Sequence, residues 1–451
     1  MYIKQIYTNC LSQASYYIES NGESIIIDPI RDSKLYIDFI KDRKSTVKYI
    51  FETHFHADFV SGHLDLSKLL NAQIIFGPGA ETKYNVINAS HQQFFEIGNI
   101  KIQVLHTPGH TPESSCFLLF DENGCEHSVF TGDTLFVGEV GRPDLAVSQE
   151  FSQEFLAGQL YDSLHNILMK LKDSTILYPG HGPGSSCGAN IGKETISTIG
   201  EQRSNNYVLQ KNNKQDFIDL VLNNLSEPPP YFSHDVKLNK EGYVDTSLVV
   251  KKSLNEISSN EIVNFINDDI IFLDVRMPSI FEKKHIKNSI NIGKTPNSFA
   301  SWVGSLVPHN KKIIIVCSDK DEIEVISRLA RIGYEKIFGF ISNINNIPET
   351  YLDTIKSISP SDISSKKYFN SKFLDVRNIS ELSSGSVKDS INIPLNQLNN
   401  KIKKLSKDKE YIIYCAGGYR SVMAASILKK NNFQSVVNVS GGFNAILNSL
   451  N

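Results

Sequence analysis

The stretch Thr53-His54-Phe55-His56-Ala57-Asp58-Phe59-Val60-Ser61-Gly62-His63 follows the apolar run Val47 to Phe51 and decides the reading of the chain. Two imidazoles and a carboxylate at alternate positions, just past a strand end, can converge on one metal ion while the strand supplies rigidity. Partners for them occur downstream: His110 in His106-Thr107-Pro108-Gly109-His110, Asp133 in Thr131-Gly132-Asp133, and His181 in Tyr178-Pro179-Gly180-His181-Gly182. Nine of the twelve histidines fall between His54 and His181. Each of the four segments comes after an apolar stretch and beside Gly or Pro, which scattered surface or core histidines would not share.

Outward from this stretch the chain alternates short strands and helices. Ile3 to Tyr7, Ala14 to Ile18 and Ser24 to Ile27 read as strands, the last closing on Asp28-Pro29; Leu35 to Lys41 and Leu64 to Leu70 read as helices. Further strands are predicted at Ile74 to Phe76, Ile100 to Leu105, Cys116 to Leu119, Ser128 to Phe130 and Ile176 to Tyr178, with helices between about Glu150 and Lys170. Metal residues at strand-to-loop junctions with interspersed helices fit two packed sheets covered by helices. A polar stretch from Gly200 to Lys214 and a helix over Phe217 to Leu225 complete the unit, and Pro228-Pro229-Pro230 stops it.

The 451 residues exceed what one hydrophobic core serves and point to about three domains. Lys+Arg at 46 against Asp+Glu at 49 leaves a formal charge of -3, which gives no basis for a nucleic-acid or anionic-membrane partner. No stretch approaches the roughly 20 apolar residues of a membrane span, and Met1 to Ile6 begins a strand rather than a signal peptide. Six dispersed cysteines do not make a disulfide framework and suit a reducing cytoplasm.

The C-terminal part repeats itself. Phe272-Leu273-Asp274-Val275-Arg276 returns as Phe373-Leu374-Asp375-Val376-Arg377, and Lys287 to Ile292 returns as Lys388 to Ile393, both 101 residues on (373 minus 272; 388 minus 287). A period of that length is a duplicated α/β domain rather than a solenoid unit. The polar segment Ser357 to Lys367 is the expected boundary between the copies. In the second copy the apolar run ending at Tyr414 leads into Cys415-Ala416-Gly417-Gly418-Tyr419-Arg420-Ser421 and then a helix. A thiol at a strand end, over converging loop amides and a helix N-terminus, is expected to be acidified, and the same amides with Arg420 make a pocket for an anion or a terminal sulfur. In the first copy Cys317 is followed by Ser318-Asp319-Lys320-Asp321-Glu322, whose carboxylates oppose a thiolate and repel an anionic donor. Cys317 is therefore expected to be inactive.

On these residues the chain resembles two known families. Residues 1–243 resemble the persulfide dioxygenase branch of the metallo-β-lactamase fold, through Thr53-His54-Phe55-His56-Ala57-Asp58, Thr107 to Thr111, Thr131 to Leu135, Gly138 to Leu145 and Pro179 to Gly182. Residues from about 260 onward resemble two rhodanese domains, with Cys415 to Arg420 matching the Cys-x-x-Gly-x-Arg loop. The resemblance implies an α/β multidomain protein: an αββα sandwich over 1–243, a degenerate rhodanese domain over 260–356 and an active one over 368–451. It implies His54, His110 and Asp133 as ligands of one Fe²⁺ per chain, with His56 as a neighbour that orients rather than ligates. Binuclear zinc hydrolases of this fold carry a further histidine directly after the aspartate and pair it with Asp58 and His181; here that place holds Phe59. Arg142 is then a candidate for a substrate carboxylate or for the Asp144 loop, and Cys187 for the wall of the iron site.

The activity so implied is oxidation of a low-molecular-weight persulfide by O2 to sulfite. Cys415 and Arg420, with the loop Ala416, Gly417, Gly418, Tyr419 and Ser421, would carry a sulfane sulfur that combines with sulfite as thiosulfate. Two other readings stand beside it: a binuclear-zinc thioester hydrolase of the glyoxalase II type fused to sulfurtransferase domains, and a non-catalytic scaffold or sulfur sensor. The thiol that carries the persulfide and any assembly into a homo-oligomer are left open by the sequence.

Overall fold

The computed structural model describes residues 1–450 except 189, 224, 226, 267, 268, 365–367 and 369. The chain divides into two compact units, the first holding 1–248 with 296–300 and 327–334, the second the remainder.

The first unit is built on two six-stranded sheets. Strands β1 (Tyr2–Thr8), β2 (Gln13–Ser20), β3 (Glu23–Ile27), β4 (Thr46–Phe51), β5 (Gln73–Phe76) and β6 (Ile87–Asn88) lie side by side in that order. Strands β7 (Phe94–Ile97), β8 (Ile100–His106), β9 (Ser115–Phe120), β10 (Glu126–Gly132), β11 (Ile176–Pro179) and β12 (Ser197–Thr198) form the second sheet, ordered β12-β11-β10-β9-β8-β7. The period of two assigns the layers. In β8 and β9, Ile100, Ile102, Val104, Phe117 and Leu119 enter the core between the sheets, where they meet Ile25, Ile27 and Phe51. Leu105, Cys116 and Leu118 point the other way, against Leu160 and Leu164 of the helix Gln153–Asn166. Full burial of each such Ile, Leu or Phe contributes about 1.5–3 kcal/mol, so the alternation holds sheet on sheet and helix on sheet together.

Topology gathers the loops. β8 is antiparallel to β9, β9 to β10, and β10 is parallel to β11, so β8, β10 and β11 end at one edge of the second sheet. His110, Asp133 and His181 follow those three ends. The segment after β4 reaches the same edge, where Ser115 N donates to Thr53 O at 2.8 Å.

Two helices depart from the sequence expectation. Ile199–Asn205 is helical inside the stretch read as merely polar, with a capping box from Thr198 and Glu201. Phe232–Glu241 is a helix immediately beyond Pro228-Pro229-Pro230, so the prolines precede a helix start instead of ending the unit. The helix expected at 217–225 runs Lys214–Leu222, and residue 224 lies outside the described residues.

In the second unit each copy has a parallel sheet. Ile270–Asp274, Ile290–Asn291, Lys312–Val316 and Ile337–Ile341 form the first. Lys372–Asp375, Ile391–Asn392, Tyr411–Tyr414, Val436–Val439 and Lys356–Ile358 form the second, with Lys356–Ile358 paired to Val436–Val439. The second copy's sheet therefore starts at Lys356, the last residue expected in the first copy, and runs into the segment read as a boundary, while 365–367 lie outside the described residues. Ile358 is the one apolar residue of that short strand and gives the period of two nothing to repeat on.

Candidate metal centre and sulfur-transfer loop

The first donor set is fixed from behind. Asp28, at the end of β3, accepts from Thr53 N at 2.7 Å and Thr53 Oγ1 at 2.8 Å, and Thr53 Oγ1 lies 2.9 Å from His54 Nδ1. This leaves His54 Nε2 facing Asp133 Oδ2 at 3.9 Å. His110 Nδ1 lies 2.8 Å from the Arg142 carbonyl, which fixes its N–H there and turns Nε2 toward the same Asp133 Oδ2 at 3.5 Å. Asp133 Oδ2 is buried and has no hydrogen-bond partner. Ligand atoms of His54, His110 and Asp133 lie within 4.8 Å of one another, so the orphaned oxygen and two imidazole nitrogens fit a single metal ion. Burial and the positive His56 hold His54 well below its ordinary range against the pull of Asp133, which keeps the imidazole neutral as a ligand must be. Two glycines permit this approach. A Cβ at Gly141 would sit 1.8 Å from Asp133 O, and one at Gly180 would sit 2.7 Å from Asp133 Oδ1.

His56 belongs to a different group. Its Nε2 lies 3.1 Å from Asp28 Oδ1 and 3.4 Å from Glu52 Oε2. Burial works against its charge, but Asp28 and Glu52 outweigh burial and raise it to about 10. His56 thus faces Asp28 and Glu52, and the ligand atoms of these three side chains lie within 4.8 Å of one another. The His56 ring stacks on Phe59, which is fully buried, at 4.2 Å.

A second donor set adjoins the first. His181 bridges two carboxylates, with Nδ1 2.8 Å from Asp133 Oδ1 and Nε2 2.8 Å from Asp58 Oδ2. Burial disfavours its charge, yet Asp133 and Asp58 together raise it well above the usual histidine range. Cys187 Sγ lies within 4.8 Å of the Asp58 and His181 ligand atoms, and burial with Asp58 and Asp133 pushes its thiol up. Arg142 pairs with Asp144 through Nε at 2.6 Å and Nη2 at 2.7 Å. Its guanidinium thus serves the Asp144 loop while its carbonyl orients His110.

Cys415 follows the strand Tyr411–Tyr414. Gly418, at φ +95°, turns its N–H onto Cys415 Sγ at 3.1 Å, and Ser421 Oγ lies 3.6 Å from the sulfur. The helix Tyr419–Lys430 starts at this turn. Arg420 forms a two-pronged pair with Glu381, both contacts at 2.6 Å, and Glu381 Oε2 also accepts from Asn378 N at 2.9 Å. Cys317 has a contrasting setting: burial, Glu322 and Asp321 push its thiol up to about 12.

Several residues that shape these sites gave no sequence signal. Asn239, in the helix after the prolines, donates to the carbonyls of His56 and Phe59 at 2.8 and 2.9 Å and accepts from Ser61 N. Glu52 holds Ser61 Oγ and lies 3.2 Å from His63 Nδ1. Glu381 is 39 residues from the arginine it holds; a pattern comparison of the two copies, which puts Ile280 in its place, was the available clue.

Comparison with known proteins agrees with this division. Residues 8–181 match the metallo-beta-lactamase superfamily, and residues 258–342 and 362–449 match the rhodanese-like domain. A solved metallo-beta-lactamase from Staphylococcus aureus subsp. aureus COL is 34% identical, with a TM-score of 0.66, covering 76% of this chain and 98% of its own. A probable hydroxyacylglutathione hydrolase of Schizosaccharomyces pombe is 34% identical over 160 residues, 36% of this chain and 56% of its own length. A probable polyketide biosynthesis zinc-dependent hydrolase of Bacillus subtilis is 30% identical over 183 residues, 39% of this chain and 76% of its own. The chain spans less than two thirds of the length of the hydroxyacylglutathione hydrolases it matches. Among the described residues no helix is long and apolar enough to cross a membrane.

Proposed function

We propose, for a chain that belongs to the metallo-beta-lactamase superfamily and carries two rhodanese-like domains after its metal domain, an iron-dependent oxidation of a low-molecular-weight persulfide coupled to sulfur transfer at Cys415. The observation that carries this reading is what surrounds the first donor set. His56 faces Asp28 and Glu52, and Phe59 fills the next place, so two imidazoles and one carboxylate remain around Asp133 Oδ2. That set is the one non-haem iron oxygenases use. Bound there, Fe²⁺ supplies open positions and electron transfer for O2 and a terminal sulfur.

The net reaction balances as R–S–SH + O2 + H2O giving R–SH, sulfite and two protons. His54 and His110 are held by Thr53 and the Arg142 carbonyl, and Asp133 through its second oxygen by His181, so the ligand atoms are in place before substrate enters. At the other site the Cys415 thiolate attacks the terminal sulfur of R–S–SH, releasing R–S⁻ and leaving Cys415–S–SH. Sulfite then attacks that outer sulfur, the S–S bond breaks, and thiosulfate departs from the Cys415 thiolate. The Gly418 N–H and the Arg420 charge favour the anionic forms in this exchange. Cys187 is a candidate relay for sulfur beside Asp58 and His181. Six free thiols suit a reducing compartment such as the cytoplasm.

A second reading is favoured by the hydrolase-named relatives and by the Asp58–His181–Cys187 donor set: a binuclear zinc thioester hydrolase. Protein purified without oxygen separates them when given either several persulfides on an oxygen electrode or an acyl thioester of glutathione. The dioxygenase reading predicts about one O2 per persulfide. Rapid thioester hydrolysis without oxygen uptake would establish the other.

A further inference from the structure

The helix Tyr419–Lys430, which starts at the Cys415 loop, is seated on the first copy. Tyr419 Oη donates to the Gly293 carbonyl at 2.7 Å. Seven residues on, Ser426 Oγ accepts from Asn291 N at 3.0 Å, and Lys429 Nζ lies 2.7 Å from both Asp353 Oδ2 and the Thr354 carbonyl. Residues at this spacing share one helix face. The strand beneath them, Ile290–Asn291, is an edge of the first copy's sheet. Ile290 is 4% exposed there, while its counterpart in the second copy, Ile391, is 37% exposed, so the covering is one-sided.

The Gly293 carbonyl is held from both sides. Ile292 N donates to Asp274 O at 2.9 Å and Lys294 N to Val275 O at 2.8 Å. The Lys294 ammonium lies 2.8 Å from Asp321 Oδ1 and 2.8 Å from Glu324 Oε2. A side chain at position 293 would crowd the contact, since a Cβ there would stand 3.2 Å from both Tyr419 Cε2 and Pro278 Cδ. Asp321 occupies the place of Tyr419 and Glu322 that of Arg420, each 98 residues earlier (419 minus 321; 420 minus 322). Asp321 and Glu324 thus clamp a lysine next to the carbonyl that receives Tyr419. Tyr419 in turn lies between Gly418, whose N–H meets Cys415 Sγ, and Arg420.

We propose that the first copy is the platform for the active loop: Tyr419 is a positioning residue that ties this loop to Gly293, and Lys294, clamped by Asp321 and Glu324, fixes the carbonyl it is tied to. The acidic segment after Cys317 then serves sulfur transfer without carrying sulfur. This inference rests on the sulfur-transfer reading of Cys415. The Gly418 N–H has to face the sulfur when Cys415 departs as a thiolate, so a loosened loop lowers turnover. Sulfite binding suffers less, because Arg420 has its own partner in Glu381.

The test uses the full chain without oxygen, with cysteine persulfide as donor and sulfite as acceptor, and reads early thiosulfate against an enzyme-free control. Tyr419→Phe keeps the ring and removes the hydrogen bond; kcat should fall about tenfold, the order of one transmitted hydrogen bond, with KM for sulfite within about twofold. Lys294→Met should lower kcat about threefold and Lys294→Arg should restore it, although position 294 belongs to the other copy. Parent-like kcat in Tyr419→Phe or in Lys294→Met, or a loss in Lys294→Arg as large as that in Lys294→Met, overturns the assignment. If the parent chain makes no thiosulfate above the control, the sulfur-transfer reading fails, and hydrogen exchange decides the platform separately. Exchange in the peptide 415–421 should then quicken about tenfold in Tyr419→Phe and about threefold in Lys294→Met, and exchange unchanged in both removes the platform.

Discussion

The two copies in the second unit share a scaffold and differ in a loop. Arg276 pairs with Asp274 as Arg377 pairs with Asp375. Asn291 Nδ2 donates to the carbonyls of Asp274 and Arg276 at 3.0 and 2.9 Å; Asn392 repeats this on Asp375 and Arg377 at 3.1 and 3.0 Å. Even the left-handed turn persists, since Lys320 at φ +67° stands 98 residues before Gly418 at φ +95° (418 minus 320). What separates the copies is the chemistry mounted on this frame: Glu322 stands where Arg420 does, and Ile280 where Glu381 does. Both members of the arginine–glutamate pair are absent from the copy whose loop is acidic. Repetition of Asp-Val-Arg therefore reports a fold, and the loop reports a function.

The largest expected effect removes the nucleophile. Cys415→Ser should lower enzymatic thiosulfate formation by about 1,000-fold while oxygen uptake continues and sulfite accumulates, because no iron ligand is touched. Early time points against an enzyme-free control measure this, since sulfite and persulfide also react unaided. Thiosulfate at the parent rate would remove Cys415 from the mechanism and shift attention to Cys187.

Next in size is the pair that marks the second copy. Glu381→Gln removes the carboxylate that holds Arg420 in place, and kcat/KM for sulfite should fall about tenfold, with Glu381→Asp recovering part of the loss. Unchanged kinetics in both variants would make the pair a surface ion pair and nothing more.

The first copy supplies the matching control. Cys317→Ser should leave thiosulfate formation within about twofold, because the thiol it replaces is protonated throughout the working range. The sign follows from the direction of the shift: a thiol pushed up to about 12 gains its reactive thiolate only as pH approaches that value, so Cys317 in the folded protein should resist alkylation at neutral pH. Mass spectrometry of the alkylated protein reads this directly, and labelling of Cys317 at pH 7 would contradict it.

The smallest effect concerns the turn alone. Lys320→Gly relieves a left-handed side-chain position, offset in part by the freedom glycine regains when unfolded, so stability should rise by about 0.5–1 kcal/mol. A lowered Tm would show that the lysine side chain contributes more than the strained backbone costs.

The metal domain shows where such readings are possible from sequence and where they stop. His54, His110, Asp133 and His181 were legible because each comes within four residues of the end of a strand rich in apolar residues, with Thr, Pro or Gly directly before it. The strands of both sheets were legible for the same reason, since Ile100, Ile102 and Val104 alternate with polar neighbours. The helix Phe232–Glu241 was not, because its apolar face is thin, with Phe232 as its one buried apolar residue, and the prolines before it look like an end. Asn239, which ties the His56 and Phe59 carbonyls, went with it. The Asp28–Glu52–His56 group was hidden for another reason: Asp28 lies 24 residues before Glu52 (52 minus 28), and the two segments become one feature when β3 and β4 pair. Spacing along a chain shows ligands that share a loop; it does not show which carboxylate turns an imidazole away.

That turn of His56 carries the central claim, that one iron rather than a zinc pair works at Asp133. Elemental analysis of protein purified without oxygen tests it most directly. The account predicts one iron per chain with little zinc, lost together with oxygen uptake in His110→Ala. Two tightly held zinc ions per chain, spanning the His54–His110–Asp133 and Asp58–His181–Cys187 sets, would contradict it.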